Sequence, residues 1–300
     1  MFKYIRGLFS TERKADISEK TIQAPKISSV QNNQVTASYP KITPPQIQFG
    51  CGQSVGMQRD HNEDTLFTLS TVLADGGGQI PAGIFIIADG MGGHLHGEVA
   101  SGIAVREMAG HLMGKLVQGY LGVGSSDDVG DLMEIMSTGA VKAHKAVTQN
   151  APGGGTTLTA ALVIADRITV AHVGDSRLYF ITPDGEGRVM TEDHSLVRRL
   201  QDMGEISEAE ALVHPQRNVL YQALGQPEPL KPEIKSLTFP RPGWILLCSD
   251  GLWGVAPERE IIRIILENGD LPKACQLLVE TANKYGGPDN ISAILIQYLG

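Results

Sequence analysis

Four aspartates stand where strand-like runs begin or end. Asp89 follows FIIA and Asp250 follows ILLCS, each just ahead of a glycine, whereas Asp64 precedes TLFTLS and Asp289 precedes NISAILIQYL. In an antiparallel sheet the end of one strand lies beside the start of its neighbour, so these four carboxylates can gather at one edge. Anionic groups that converge repel one another unless cations neutralise them. An all-oxygen donor set without thiolates suits a hard divalent ion, Mg²⁺ or Mn²⁺, that keeps part of its water shell. Two such ions about 3.5 to 4 Å apart could bridge a water, lower its pKa and direct it at phosphorus. A lone Asp-Gly more often marks a turn. The recurrence of aspartate at four strand boundaries is what points to a divalent-metal hydrolase.

The elements that would position these residues can be read from periodicity. Strands are expected at Ile47 to Cys51, Thr65 to Leu73, Ile84 to Ala88, Leu158 to Ile164, Ile168 to Val173, Arg177 to Ile181, Trp244 to Ser249 and Ile291 to Tyr298. Helices are expected at Gly97 to Val117, Asp131 to Asn150, His194 to Met203, Glu258 to Asn268 and Leu271 to Tyr285, the last with Pro272 in its first turn. Only Ala165, Asp166 and Arg167 separate the strands ending at Ile164 and starting at Ile168, which makes a hairpin and not a crossover. The fold class is therefore α+β, with antiparallel sheets covered by helices.

Composition narrows the function further. The chain has 300 residues, 42% hydrophobic and 19% charged, which excludes a disordered or fibrous protein. Residues 1–50 hold seven Lys/Arg and three Asp/Glu, so the other 250 hold 18 of the 25 basic and 30 of the 33 acidic residues. A body that acidic has no general affinity for nucleic acid, and needs metal cations to handle an anionic substrate. Cys51, Cys248 and Cys275 are too scattered for a disulfide framework or a zinc site and suit a reducing compartment. No apolar run reaches the roughly 20 residues that cross a bilayer, and Lys3 and Arg6 interrupt the N-terminal apolar residues, so a cytoplasmic protein is expected. Residues 10–45, rich in Ser, Thr, Gln, Asn, Pro and Lys, read as a solvated linker. The expected domain division is thus an extension over 1–45 and a catalytic domain over 46–300. Ahead of the linker, MFKYIRGLFS places Met1, Phe2, Tyr4, Ile5, Leu8 and Phe9 opposite Lys3 and Arg6, a short basic amphipathic segment suited to docking on a partner or a membrane surface. Ten residues do not hold a helix alone in water.

Eight segments together resemble the metal-dependent protein phosphatases of type 2C. They are GMQRDHNED (56–64), FIIADGMGGHLHGEVAS (85–101), GGTTLTAALV (154–163), VGDSRLY (173–179), TEDHSLV (191–197), HPQRNVLYQALG (214–225), ILLCSDGLWG (245–254) and GGPDNISAIL (286–295). They occur in the family's order across about residues 47–300, in the bacterial-type wording. The resemblance implies two antiparallel sheets packed as a sandwich flanked by helices, with a binuclear Mn²⁺ or Mg²⁺ centre at one edge. It also implies hydrolysis of phosphoserine and phosphothreonine in proteins, opposing a Ser/Thr kinase, by a metal-bridging water or hydroxide and without a covalent enzyme intermediate. By motif, Asp64, Asp89, the Gly90 carbonyl, Asp250 and Asp289 would hold the two metals, directly or through water. Asp175 would join Asp250 at a third, weaker position. Arg59 would bind the substrate phosphate, a role that suits the donor fork of guanidinium. The leaving oxygen needs a proton. Animal-type members carry a histidine directly after the first Asp-Gly, where this chain has Met91, so His94 is the candidate donor, with His61 and a metal-bound water as alternatives. Residues 198–220 lie where the family carries a flap over the site.

Other chemistries leave signatures that are missing here. Cysteine phosphatases need C-x₅-R, and the residues six after the cysteines are Met57, Gly254 and Thr281. Gly52-Gln53-Ser54-Val55-Gly56 matches a hydrolase elbow, but MQRDHNEDT carries no helical pattern after it. The glycines after FIIAD place Leu95 where a dinucleotide fingerprint needs its third glycine. Gly153 to Gly155, followed by Thr156 and Thr157, read as a tight lead into a strand and not as a phosphate cradle. A non-catalytic phosphoprotein-binding module and a hydrolase of small phosphate esters remain open from sequence alone.

Overall fold

The computed structural model describes residues 45–75, 78–92, 95–120, 131–227 and 229–299. The proposed docking segment within residues 1–44 and His94 lie outside the described residues. The strands, in chain order, are β1 (Gln46–Ser54), β2 (Thr65–Asp75), β3 (Gly78–Ala88), β4 (Gly90–Met91), β5 (Gly155–Thr156), β6 (Leu158–Ile164), β7 (Arg167–Val173), β8 (Arg177–Ile181), β9 (Gly187–Val189), β10 (Glu233–Thr238), β11 (Trp244–Cys248) and β12 (Ile291–Leu299). The helices are α1 (Leu95–Tyr120), α2 (Leu132–Asn150), α3 (Leu196–Asp202), α4 (Glu208–Leu212), α5 (Asp250–Trp253), α6 (Glu258–Glu267) and α7 (Leu271–Lys284). One five-stranded sheet runs β1-β12-β11-β8-β9 and the other β10-β7-β6-β3-β2, with neighbouring strands antiparallel.

The central strands read as mainly apolar runs, not as an alternation, because both of their faces are buried. From β3, Phe85 and Ile87 face Leu178, Ile245, Leu247, Ile294 and Ile296 of the other sheet. The alternate residues Ile84 and Ile86 face Ala104, Met108 and Leu112 of α1 and Met136 and Ala140 of α2. On the far side, Leu246, Cys248, Ala293 and Leu295 face Ala274, Cys275 and Leu278 of α7. Three apolar layers therefore hold two sheets between two helical layers. Each fully buried Leu, Ile or Phe in them contributes about 1.5 to 3 kcal/mol by leaving water.

Caps agree with the sequence. Asp131 accepts from Met133 N–H at the start of α2, Ser195 from Arg198 N–H at α3, and Asp270 from Lys273 N–H at α7. Two differences from the sequence reading have physical causes. β3 begins at Gly78 and not Ile84, because residues 78–81 pair with β2 alone, and Pro81 is tolerated there because the span paired with β6 starts only at Ala82. β10 is an edge strand whose residues are half exposed, so EIKSLT carries no clean apolar pattern.

Candidate metal centre

A cavity of about 460 Å³ opens at one end of the sandwich, where β3 and β11 end and β12 begins. Asp89, Asp175, Asp250, Asp289 and Glu63 line it, with Arg59, His61 and Met91. Each acidic residue is placed by its own local structure. Asp89 leaves β3 with its N–H donating to Thr157 Oγ1 at 2.9 Å, while its carbonyl accepts from Thr157 N–H and Thr156 Oγ1, both at 2.9 Å. Gly90 follows because a Cβ there would lie 2.3 Å from Gly97 O and 2.6 Å from Glu63 O. Asp250 opens α5, and a Cβ on its neighbour Gly251 would meet Asn290 O at 2.0 Å. Asp175 sits in the turn between β7 and β8, where its carbonyl accepts from Trp253 Nε1 at 3.0 Å. Behind that contact Arg177 stacks 3.5 Å from the Trp253 ring centroid and grips Asp193 at 2.7 Å.

Asp64 stands apart from the cavity wall. It is buried, and its Oδ2 accepts from Ser292 Oγ at 2.7 Å and Ser249 Oγ at 2.9 Å. Its neighbour Glu63 takes the place in the wall, since successive residues of an extended chain point to opposite sides. Sequence reasoning passed over Glu63. The adjacent pair of acids in NED was the available signal, because only one of two such neighbours can face a cavity.

The electrostatics are those of anions gathered without enough cations. Burial raises the Asp64 carboxyl to about 7, with Asp250 and Asp289 adding to the rise against the two serine hydrogen bonds. Burial, then the charge of Asp289, raises Asp250 to about 6, and its carboxyl is in hydrogen-bonding contact with Asp89. Asp89 and Asp175 are pushed well above the usual carboxylate range, by burial first and by neighbouring aspartates second. Two buried carboxylate oxygens, Asp64 Oδ1 and Asp250 Oδ1, have no hydrogen-bond partner. Such oxygens, in an all-oxygen donor set, fit hard divalent cations.

Among the described residues no three acidic, histidine or cysteine side chains already close on a single point. Several of the carboxylate oxygens are engaged in hydrogen bonds instead. Asp289 Oδ2 is taken by Arg59 Nη2 at 2.6 Å, its Oδ1 by Asn290 N–H at 2.8 Å, and Asp64 Oδ2 by the two serines. The expected metal carboxylate Asp289 and the expected phosphate ligand Arg59 are thus each other's partner here. His61 lines the cavity, with Nε2 3.2 Å from Glu63 Oε1. Asn218 and Leu220, from the segment between α4 and β10, complete the mouth, which is where the flap was expected. That segment is stitched to α3 by Leu196 N–H to Val219 O at 2.8 Å and Tyr221 N–H to His194 O at 3.0 Å.

Residues 52–295 match the family profile described as protein phosphatase 2C. The serine/threonine phosphatase stp of Listeria innocua is 36% identical over 221 residues, which cover 71% of this chain and 84% of that protein. The crystal structure of the serine/threonine phosphatase PstP/Ppp of Mycobacterium tuberculosis superposes with a TM-score of 0.68 at 29% identity, covering 84% of this chain and 98% of that one. A structure of the PstP catalytic domain in complex with two manganese ions gives 0.67 at 28% identity, covering 85% and 100%.

Proposed function

The chain belongs to the protein phosphatase 2C family and is a metal-dependent protein serine/threonine phosphatase, and from that premise we propose which of its residues do the work. Asp89, Asp250 and Asp289, with the Gly90 carbonyl, hold two Mn²⁺ or Mg²⁺ ions. Glu63 and Asp64 support them, Glu63 from the cavity wall and Asp64 from behind it. Asp175, which lines the same cavity and whose carboxyl is pushed up in part by the charge of Asp250, serves a third, weaker ion. When bound, the ions neutralise the carboxylates and lower the pKa of a water so that it can attack phosphorus.

Arg59 turns from Asp289 to the substrate phosphate and orients it in the mouth of the cavity. The clamps on Asp89 from Thr156 and Thr157, and on Asp175 from Trp253, keep those carboxylates in place without rearrangement during turnover. Proton delivery to the leaving serine or threonine oxygen is assigned to His94. His61 is the second reading, favoured by its place in the cavity wall. A pH–rate profile whose basic limb moves in His94→Gln and not in His61→Gln supports the first assignment, and the reverse supports the second.

The observation that carries these roles is the convergence of Asp89, Asp175, Asp250 and Asp289 on one cavity beside Arg59. The experiment is phosphate release from a phosphothreonine peptide and from p-nitrophenyl phosphate, with Mn²⁺ and with EDTA, in wild type and Asp250→Asn. Peptide turnover that needs Mn²⁺ and falls by more than about a hundredfold in the variant is expected, beyond the loss typical of changes outside the ligand shell. Turnover of the small ester alone favours a small-ester hydrolase, and no metal-dependent turnover of either favours a binding module.

The catalytic domain is proposed to span 46–300, to act in the cytoplasm and to oppose a Ser/Thr kinase. No helix among the described residues is long and apolar enough to cross a membrane. The basic apolar segment at residues 1–10 is proposed to dock the enzyme on a partner or a membrane surface. Sedimentation with anionic vesicles, comparing the full chain with one lacking residues 1–45, tests the membrane arm. Equal sedimentation of the two removes it.

A further inference from the structure

Arg59 sits on the loop that joins β1 to β2, and a buried amide next to Asp289, just ahead of β12, ties that loop down. Asn290 is 4% exposed. Its Nδ2 donates to Val55 O at 2.8 Å and to His61 O at 2.9 Å, and its Oδ1 accepts from Glu63 N–H at 2.8 Å. One carboxamide thus uses both of its N–H groups and its oxygen on the backbone of one loop. A fourth tie, Met57 N–H to Gly287 O at 2.7 Å, comes from the same side of the site. Between these ties only residues 58–60 are left to bulge toward solvent, with Arg59 at their centre. The approach is also tight. Gly56 has φ +84° and a Cβ there would lie 2.2 Å from Asp289 O, so loop and strand meet backbone to backbone.

We propose that Asn290 is a positioning residue for Arg59: its amide fixes the 55–63 loop so that the guanidinium meets a bound phosphate without first being ordered. The argument is one of lost freedom. Arg59 is about half exposed, and once it leaves its ion pair with Asp289 for the phosphate its long side chain has little packing to hold it, so its aim depends on where its backbone is anchored. The Asn290 side chain has every polar group but one lone pair engaged by the loop, which leaves it no donor for substrate and separates its role from that of Asp289 next to it. A fixed loop spares the cost of ordering Arg59 when phosphate arrives, and that saving appears in phosphate binding more than in the chemical step.

The inference rests on the reading of Arg59 as the phosphate ligand, and the experiment separates the two. A double-mutant cycle is run on Mn²⁺-loaded full-length wild type, Asn290→Ala, Arg59→Ala and the double variant. KM and kcat for a phosphothreonine peptide and the inhibition constant of inorganic phosphate are measured, with thermal melts alongside. Asn290→Ala is expected to raise KM and the phosphate inhibition constant about tenfold with kcat changed less than about threefold. In the Arg59→Ala background the same substitution is expected to change both by less than about twofold, because coupled residues are non-additive. Independent effects in the two backgrounds, or a loss confined to kcat, overturn the inference and leave Asn290 as a structural amide. If Arg59→Ala alone changes neither KM nor phosphate inhibition, the reading of Arg59 fails first. Should Asn290→Ala not fold, Asn290→Ser carries the same cycle, and failure of both to fold also overturns the positioning role.

Discussion

Stripping the metal should make the fold sensitive to alkali. In the metal-free protein burial and mutual repulsion hold Asp64 at about 7 and Asp250 at about 6, and keep Asp89 and Asp175 well above the usual carboxylate range. Unfolded, all four ionise near 4. Between those two values the folded state retains protons that the unfolded state has shed. Each such carboxyl then lowers stability by about 1.4 kcal/mol per pH unit as pH rises, until its folded value is passed. His172 works in the opposite sense. Burial pushes it down to about 3, so the stability it contributes is complete above roughly pH 6.5 and is lost only as pH falls. From about pH 6.5 to 8 His172 no longer opposes the carboxyls, Asp64 gives up its proton around 7, and Asp89 and Asp175 act in the same direction. A loss of roughly 1 kcal/mol or more across that window is expected, which for a domain of this size is about 2 to 4 °C or more in the melting midpoint. The assay is a thermal melt across that window after EDTA dialysis, and again with saturating Mn²⁺. Metal replaces the protons, so the slope should flatten and the shift produced by Mn²⁺ should grow with pH, from a baseline of about 2.7 kcal/mol at a hundred times Kd. Asp89→Asn removes one titrating group and should shrink the metal-free slope. A metal-free midpoint that is flat or rises with pH, or a Mn²⁺ shift that does not grow, refutes the idea that these carboxylates are held together against their own charge.

Three further substitutions probe the supports of the site. Arg177→Ala leaves the buried Asp193 carboxylate without its partner and uncovers Trp253, and should cost about 3 kcal/mol in urea unfolding; an unchanged midpoint would show that Asp193 finds water or another donor. Ser292→Ala removes the shorter of the two hydroxyl bonds to Asp64 and should lower stability by about 1 to 3 kcal/mol, which a denaturant titration of the Mn²⁺-loaded protein reads directly. Gly90→Ala forces a methyl group to within 2.3 Å of Gly97 O, and should cost at least about 2 kcal/mol and weaken Mn²⁺ binding measured by calorimetry. Wild-type Mn²⁺ affinity in that variant would mean that the start of α1 gives way at no cost to the centre.

Much of the architecture was legible because burial on both faces leaves a plain trace. GIFIIA and WILLC are unbroken apolar runs, LTAALVI and ISAILI are interrupted only by Thr159 and Ser292, and each lies in a strand with neighbours on both sides. Half-exposed elements left a weaker one, so β10 escaped notice, as did the short α4 and α5. The placement of Asp89, Asp250 and Asp289 followed from strand ends alone. Which of Glu63 and Asp64 faces the cavity did not, because that depends on the side presented by an irregular loop and not on any period. Asn290 was invisible for a related reason: its three partners are backbone atoms, which no residue type advertises.

β12 lies between β1 and β11, although it follows both in the chain. A ribosome releases β1 and β11 first, and for that interval their facing edges have no strand to pair with. The nascent protein is then a pair of open, apolar edges of the kind that recruit other chains. Asp289 and Asn290 arrive just ahead of β12, so closure of the sheet, the Asn290 ties to the loop between β1 and β2, and the arrival of Asp289 at the cavity come together. A message cut short anywhere before Ile291 should therefore yield no weakened phosphatase to act unregulated. It should yield an inert, sticky chain for proteolysis to remove.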